Sequence, residues 1–246
     1  MRIKHHQEII CGINLIETVL TARHDSVETL YILDSKLNSR IKRISSKAKL
    51  KGVNISLETK NFFDLYCKDS NHQGLALLCD KRKEEDESLL GELLKKESLL
   101  FLVLDHITDP HNVGACLRNA AAANVDAVIV PKNRSCHLNS TVRKISSGGS
   151  ELVPFIVVTN LVRSLKKMQS SGVQIIGAEK TAKESYTNLN FDKKSALVIG
   201  SEDKGLRTLT TENCDKLVKI DMPGQMESLN TSVASGILLF EFIRKS

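Results

Sequence analysis

Along residues 98–246 the hydrophobic positions fall into short dense runs separated by stretches with a different period. The runs are Leu99–Leu104, Ala127–Val130, Phe155–Val158, Val173–Gly177, Ala196–Ile199 and Leu217–Met222. Runs this short with few polar interruptions fit strands buried on both faces. Between them, apolar residues recur at three- and four-residue spacing near 112–123, 138–147, 160–171 and 204–213, and a last helix runs from about 228 to near Arg244. Such alternation predicts a mainly parallel sheet with helices on both sides. Ligands of such sheets bind beyond the carboxyl ends of the strands.

Residues 1–80 show a second, smaller α/β pattern. A helix over Gly12–Leu20 places Ile13, Ile16, Val19 and Leu20 on one face, and Thr29–Leu33, Val53–Leu57 and Leu75–Cys79 read as strands. A helix over Ser35–Leu50 has Leu37, Ile41, Ile44 and Ala48 on one side, with Gly52 where a terminating glycine belongs. Its other sides carry Lys36, Arg40, Lys42, Arg43, Lys47 and Lys49. That basic surface is either a solvated face or a surface for nucleic-acid phosphates, and both readings stay open. Lys81–Ser88 is dense in charge and has no apolar residue. Composition therefore predicts a first domain at 1–80, a linker at 81–97 and a second domain at 98–246.

Charge and composition narrow the functional classes. The net charge of +6 is compatible with a polyanionic partner. Tryptophan is absent and aromatics make up 4% of the chain, which argues against base stacking on an aromatic platform. The six cysteines contain no C-x-x-C pair and mostly sit in apolar stretches, the pattern of free thiols in a reducing compartment without a disulfide framework or structural zinc. The start of the chain has no apolar leader core, and no run approaches a membrane span, so a cytoplasmic protein is expected.

Three polar loops at strand ends are candidates for chemistry. The first is Asp105-His-Ile-Thr-Asp109-Pro110-His-Asn112-Val-Gly114-Ala-Cys-Leu-Arg118. Pro110 disfavours helix at Asp109, and Gly114 allows close backbone approach one turn before Arg118. Its carboxylates, amide and arginine fit either catalysis or helix capping. Asp105, His106, Asp109 and His111 are each able to ligate a metal, but their spacing matches no common ligand pattern, and no metal is expected. The second loop is Gly200-Ser201-Glu202-Asp203-Lys204-Gly205, which lacks the order of a phosphate-gripping loop. No G-x-G-x-x-G follows the first strand of the second domain, so the common nucleotide fingerprints are missing. The third loop, Ile220-Asp-Met-Pro-Gly-Gln-Met-Glu-Ser-Leu-Asn-Thr-Ser-Val-Ala234, ends in serine and asparagine placed to cap the last helix. First-turn N–H groups of such a helix can also face a ligand.

Together the three loops resemble a known family. Asp-x3-Asp-Pro-x-Asn-x-Gly-x3-Arg at 105–118, Leu-Val-x-Gly-x-Glu-x2-Gly at 197–205 and Gly-x3-Ser-Leu-Asn-x-Ser-x-Ala at 224–234 are similar, in order and spacing, to the three motifs of the SpoU (TrmH-type) RNA ribose 2′-O-methyltransferases. Residues 1–80, with His72-Gln73-Gly74, resemble the L30e/L7Ae-like substrate-binding domain of some members. The resemblance implies a deep carboxyl-terminal trefoil knot, a rare exception to the rule against threaded chains. It implies S-adenosylmethionine as cofactor, RNA as partner and a homodimer. It points to ribosomal RNA, at a guanosine of the peptidyl-transferase region, with transfer RNA as another substrate class of the family. By position, Ile199, Gly200, Ile220, Met222, Ser228 and Leu229 should contact the cofactor. Asn112, Arg118, Glu202, Ser228 and Asn230 match the residues used around the reacting centre. The chain departs from the family at Asp221, where many members have proline, and at Thr231, where valine is usual.

In the family the arginine matching Arg118 is the proposed general base. A guanidinium, with a pKa above about 12, is poorly suited to accept a proton. Arg118 is therefore expected at least to orient the ribose hydroxyl and stabilise its developing charge, with Asn112, Ser228 and Asn230 fixing ribose and phosphate. Two other readings are a catalytically silent RNA-binding protein of the same fold and a metal-dependent hydrolase.

Overall fold

Alternation along the strands sets the layers of the structure, a computed structural model that describes residues 3–35, 38–68 and 72–245. The assignments of Lys36 and Leu37 to the basic helix lie outside the described residues. The chain divides into two compact units, Met1–Lys83 and Glu84–Ser246.

The first unit contains β1 (Gln7–Cys11), α1 (Ile13–Ala22), β2 (Val27–Leu33), α2 (Ser39–Leu50), β3 (Asn54–Glu58), α3 (Lys60–Tyr66) and β4 (Leu75–Asp80). Its sheet runs β1-β4-β2-β3, with β2–β3 parallel and the other pairs antiparallel. Leu30 and Ile32 of β2 face one apolar cluster with α1 and α2, while Tyr31 and Leu33 face another with Phe63 of α3, as a period of two requires. Asn38 caps α2, its side chain accepting from Ile41 N at 2.9 Å, so the helix starts later than the expected Ser35. Part of its basic face is occupied locally. Arg43 Nη2 lies 2.7 Å from Glu17 Oε1 of α1, Arg40 Nη2 donates to Asn14 Oδ1, and Lys47 Nζ donates to Thr21 Oγ1.

One cysteine expectation is corrected here. Cys11 and Cys67 are joined as a disulfide with their Cα atoms 6.4 Å apart. They are 56 residues apart in sequence, and only the packing of β1 beside α3 makes them neighbours. Cys79, Cys116, Cys136 and Cys214 are in no disulfide.

The second unit contains α4 (Glu87–Leu93), β5 (Leu99–Asp105), α5 (Pro110–Ala122), β6 (Ala127–Pro131), α6 (Ser140–Ser146), α7 (Gly149–Leu152), β7 (Phe155–Val158), α8 (Leu161–Ser170), β8 (Gln174–Ala178), β9 (Glu184–Ser185), β10 (Lys194–Gly200), α9 (Thr208–Thr211), β11 (Lys216–Lys219) and α10 (Thr231–Lys245). Its seven strands run β7-β6-β5-β10-β8-β11-β9, and the pairs are parallel. Leu100, Leu102 and Leu104 of β5 pack toward α5, α6 and α10. Leu99, Phe101 and Val103 pack toward α4 and α8. The α/β architecture with a parallel sheet is thus present.

The expected linker at 81–97 is also corrected. Glu85 bonds through its backbone to Phe155 O and Val157 N at the edge of the sheet, and α4 follows with Leu90 1% exposed. The Leu89-Leu90 and Leu93-Leu94 pairs anchor this segment despite the charge around them. Other boundaries shift for local reasons. Ser147 and Gly148 take positive φ, so the expected 138–147 helix ends at Ser146 as α6, and α7 follows as a separate short helix that the sequence did not suggest. Arg207 is extended, so α9 starts only at Thr208. The last strand stops at Lys219, and residues 220–230 form an irregular loop before α10. β1, α3 and β9 carry too little periodic signal to stand out in the sequence.

Candidate active site and cavity

Strand order brings the three polar loops together. Because β10 lies between β5 and β8, the loops after β5 and β10 are neighbours at the carboxyl edge. Asp105, 1% exposed at the end of β5, ties them: its Oδ2 accepts from Arg207 N at 2.9 Å and its Oδ1 meets His106 Nδ1. Asp109 caps α5 by accepting from His111 N at 3.0 Å and Asn112 N at 3.3 Å, with Pro110 at the first helical position. Both carboxylates of the first loop are therefore engaged with backbone N–H groups. Among the described residues no group of three or more His, Cys, Asp or Glu side chains is disposed to hold a metal ion.

Asn230 joins all three loops. Its Nδ2 donates to Asn112 Oδ1 at 2.9 Å and to Glu202 Oε2 at 3.3 Å, while its Oδ1 accepts from Ser232 N at 2.9 Å and Ser232 Oγ at 2.6 Å. The last pair caps α10, so one side chain both starts a helix and braces the other two motifs. Arg118 lies farther along α5, exposed and with no side-chain hydrogen bond or ion pair among the described residues. Its backbone is closely packed, since a Cβ on Gly149 would lie 2.6 Å from Leu117 O and 3.1 Å from Arg118 Cα. Gly114 serves the same helix from the other side, where a Cβ would come within 2.7 Å of Ile145 Cβ and 2.9 Å of Val142 O. The close approach expected there is that of α6.

A cavity of about 500 Å³ opens between the loops after β8, β10 and β11. Ile199, Gly200, Ile220, Met222, Ser228 and Leu229 line it, as does Glu202. Asn112, Arg118 and Asn230 lie outside its wall, and Asn230 reaches the rim through Glu202. Gly200 has no room for a side chain: a Cβ would sit 2.1 Å from the carbonyl carbon and oxygen of Gly205, where the loop folds back. Thr231 Oγ1 donates to Gly200 O at 3.5 Å, connecting the second and third loops below the cavity.

Ile199, Val218, Ile220, Met222 and Leu229 supply apolar wall, while Glu179, Glu202, Asp203, Asp221 and Glu227 outnumber Lys180, Lys204 and Lys219. This combination suits a small molecule with apolar and cationic parts. Asp221, one of the two departures from the family pattern, is held below the usual carboxylate range by a hydrogen bond from Ser185, with Lys219 adding to the effect. Sequence reading missed Ala178-Glu179-Lys180. They follow a strand adjacent to β10, so the rule for strand carboxyl ends would have found them once the order was known. It also missed Asn119, whose Nδ2 donates to Ser232 O at 2.7 Å and Ser235 Oγ at 3.0 Å and so docks α10 beside Arg118. Cys116, between Asn112 and Arg118, is no nucleophile: burial pushes its thiol up to about 11.

Residues 99–240 match the SpoU rRNA methylase family model, and residues 9–85 match the model for RNA 2′-O ribose methyltransferase substrate binding. The chain is 41% identical to the 23S rRNA (guanosine-2′-O-)-methyltransferase RlmB of Vibrio parahaemolyticus over 97% of both proteins. It is 42% identical to RlmB of Xylella fastidiosa over 96% of both. The fold matches the AdoMet-bound rRNA methyltransferase from Sinorhizobium meliloti with a TM-score of 0.76 at 20% identity, covering 97% of this chain and 87% of the other.

Proposed function

The chain belongs to the SpoU rRNA methylase family, and from that membership we propose that it methylates the ribose 2′-hydroxyl of a guanosine in 23S ribosomal RNA, with S-adenosylmethionine as donor. The observation that carries the site assignment is Asn230, whose side chain holds Asn112 and Glu202 together at the rim of the acid-lined cavity. Relatives that align along both units are named for ribosomal RNA, which favours that acceptor over transfer RNA.

The cavity fits the cofactor in size and in the character of its walls. Ile199, Ile220, Met222 and Leu229 would hold its apolar parts, and the rim carboxylates its positive charge. When bound, S-adenosylmethionine supplies an electrophilic methyl group. The protein's remaining work is to position the ribose hydroxyl and handle its proton. Arg118, exposed and unpaired, orients that hydroxyl and stabilises the developing oxyanion; as a guanidinium it donates hydrogen bonds, and the hydroxyl proton passes to solvent water at this exposed position. Asn112 and Asn230, braced against each other, leave little freedom for the ribose beside them, and Ser228 offers a hydroxyl at the cavity wall.

The first unit binds RNA, using the part of the α2 basic face that α1 does not occupy. The knotted path expected from the family is supported by β10 lying between β5 and β8 although it comes late in the chain, and by Asn230 and Thr231 then bonding to Glu202 and Gly200 of the preceding loop. A homodimer is supported by Val233, Phe240 and Ile243, which leave α10 with apolar surface at 48%, 51% and 43% exposure. No described helix is long and apolar enough to cross a membrane, and a ribosomal RNA substrate supports a cytoplasmic location.

The test is tritium transfer from labelled S-adenosylmethionine to ribosomal and transfer RNA from cells lacking the corresponding enzyme. Label in 23S RNA that makes one linkage alkali-resistant is expected. Label confined to transfer RNA would change the substrate, and no cofactor binding would favour a silent RNA-binding protein.

A further inference from the structure

A second depression lies at the same edge of the sheet, on the side of β5, β6 and β7. It measures about 1110 Å³, larger than most small-molecule pockets, and is an open cleft. Its lining includes His106, Asn133, Arg134, Asn160, Lys204 and Arg207. Among the described residues that line it there is no aspartate or glutamate. The cations are also uncommitted: Arg134, Lys204 and Arg207 are exposed, and their side chains make no hydrogen bond or ion pair among the described residues.

The backbones that carry the two arginines are pinned by carboxylates placed behind the cleft. Asp105 Oδ2 accepts from Arg207 N at 2.9 Å. Glu84 holds the loop that bears Arg134, accepting from Leu138 N at 2.7 Å and meeting His137 Nδ1 at 3.0 Å, while His137 Nε2 reaches Lys132 O at 2.9 Å. Arg134 and His106 both adopt φ of 58°, a conformation that ordinary side chains rarely take and that surrounding contacts must hold. Each negative group is thus used to fix a loop, and each positive group is left facing solvent.

We propose that this cleft binds the phosphate backbone of the RNA strand flanking the target nucleotide, with Arg134 and Arg207 contacting phosphates and Lys204 marking the passage to the cofactor cavity. Lys204 lines both depressions, so a strand lying in the cleft continues toward the methyl donor. An acid-free site with three free cations selects a polyanion, and its open form suits an extended polymer. The assignment rests on the methyltransferase reading for its ligand, and its test can fail separately from that reading.

The experiment compares the full-length protein with R134A/R207A, with R134E/R207E, and with a control, K166A/K193A. The control removes the same charge from α8 and from the residue that precedes β10. Binding of a fluorescein-labelled single-stranded oligoribonucleotide is measured by anisotropy between about 50 and 200 mM salt. Two lost phosphate contacts should make the salt-induced loss of affinity about seven-fold smaller in R134A/R207A than in wild type. R134E/R207E should bind more weakly still. The control should retain the wild-type slope, and calorimetric S-adenosylmethionine affinity should be the same in all four proteins. If R134A/R207A has the slope of the control, or if R134E/R207E binds RNA as wild type does, the cleft assignment is wrong. Methyl transfer by the wild type is followed in parallel. Transfer to RNA without cleft-dependent binding would overturn the cleft alone, whereas cleft-dependent binding without transfer would overturn the methyltransferase reading alone.

Discussion

The cavity and the cleft border one sheet edge and share Lys204, yet five carboxylates line the first and, among the described residues, none lines the second. The difference lies in where the acids are used. In the cavity Glu179, Glu202, Asp203, Asp221 and Glu227 are themselves part of the lining. At the cleft Asp105 and Glu84 stand behind the lining and hold backbone N–H groups, leaving the arginines as the outward charge. A net charge of +6 describes neither region. Local placement of charge sets which ligand each concave surface accepts, and a chain that must bind a cationic cofactor and a polyanion separates the two by a few residues.

The separation of roles can be broken most sharply at Arg118. Arg118→Ala should lower the turnover number by about 100-fold or more, the scale of losing a donor to a developing oxyanion, with cofactor affinity intact by calorimetry. Arg118→Lys should recover only part of the loss, because one ammonium does not replace a planar fork. Near-full turnover in the lysine variant would remove the guanidinium from the chemistry. A smaller effect is expected at Gly200→Ala, whose Cβ would overlap the Gly205 carbonyl. Overpacking of this kind costs about 1–3 kcal/mol, and here it should appear as cofactor affinity lowered roughly ten-fold, with oligoribonucleotide affinity unchanged. Phe240→Asp should shift sedimentation from dimer to monomer; a wild type that sediments as a monomer would remove α10 from any interface.

The mildest test is pH. The hydrogen bond to Glu84 raises the His137 pKa above its ordinary value near 6.5. A raised folded-state value means that the pair stabilises the fold fully below the unfolded pKa and that this contribution is lost as pH rises through the folded one. An NMR titration should therefore place the His137 midpoint above that of a free histidine, and Glu84→Gln should bring it down. If the two regions are independent, Glu84→Gln weakens RNA binding and leaves cofactor affinity alone; equal losses in both would merge them.

Much of the second unit was legible because its strands are buried on both faces. Seven or fewer apolar residues in a row between helical periods leave few alternatives, and β5, β6, β7, β8 and β10 all fall within two residues of their expected positions. The segment at 84–97 was misread because charge density hid two leucine pairs that suffice to anchor a short helix. The stretch 204–207 was given to a helix because nothing local reveals that Asp105, a hundred residues earlier, holds Arg207 extended. For the site, motif order named Ile199, Ile220, Met222 and Leu229, which line the cavity, but not Val218. It could not supply the cavity's third strand end at Ala178-Glu179-Lys180, because neighbours across a sheet are not neighbours in the chain.

By itself the sequence determined the α/β class and the three loops, which follow from hydrophobic period and from residue types at short spacing, and the resemblance of those loops to a known family implied the cofactor. Tertiary structure alone decided that Cys11 meets Cys67, that Asn230 joins Asn112 to Glu202, and that acids line one depression and support the other. Each of these depends on contacts between residues tens to more than a hundred positions apart, and such contacts are set by strand order and packing that no local pattern encodes.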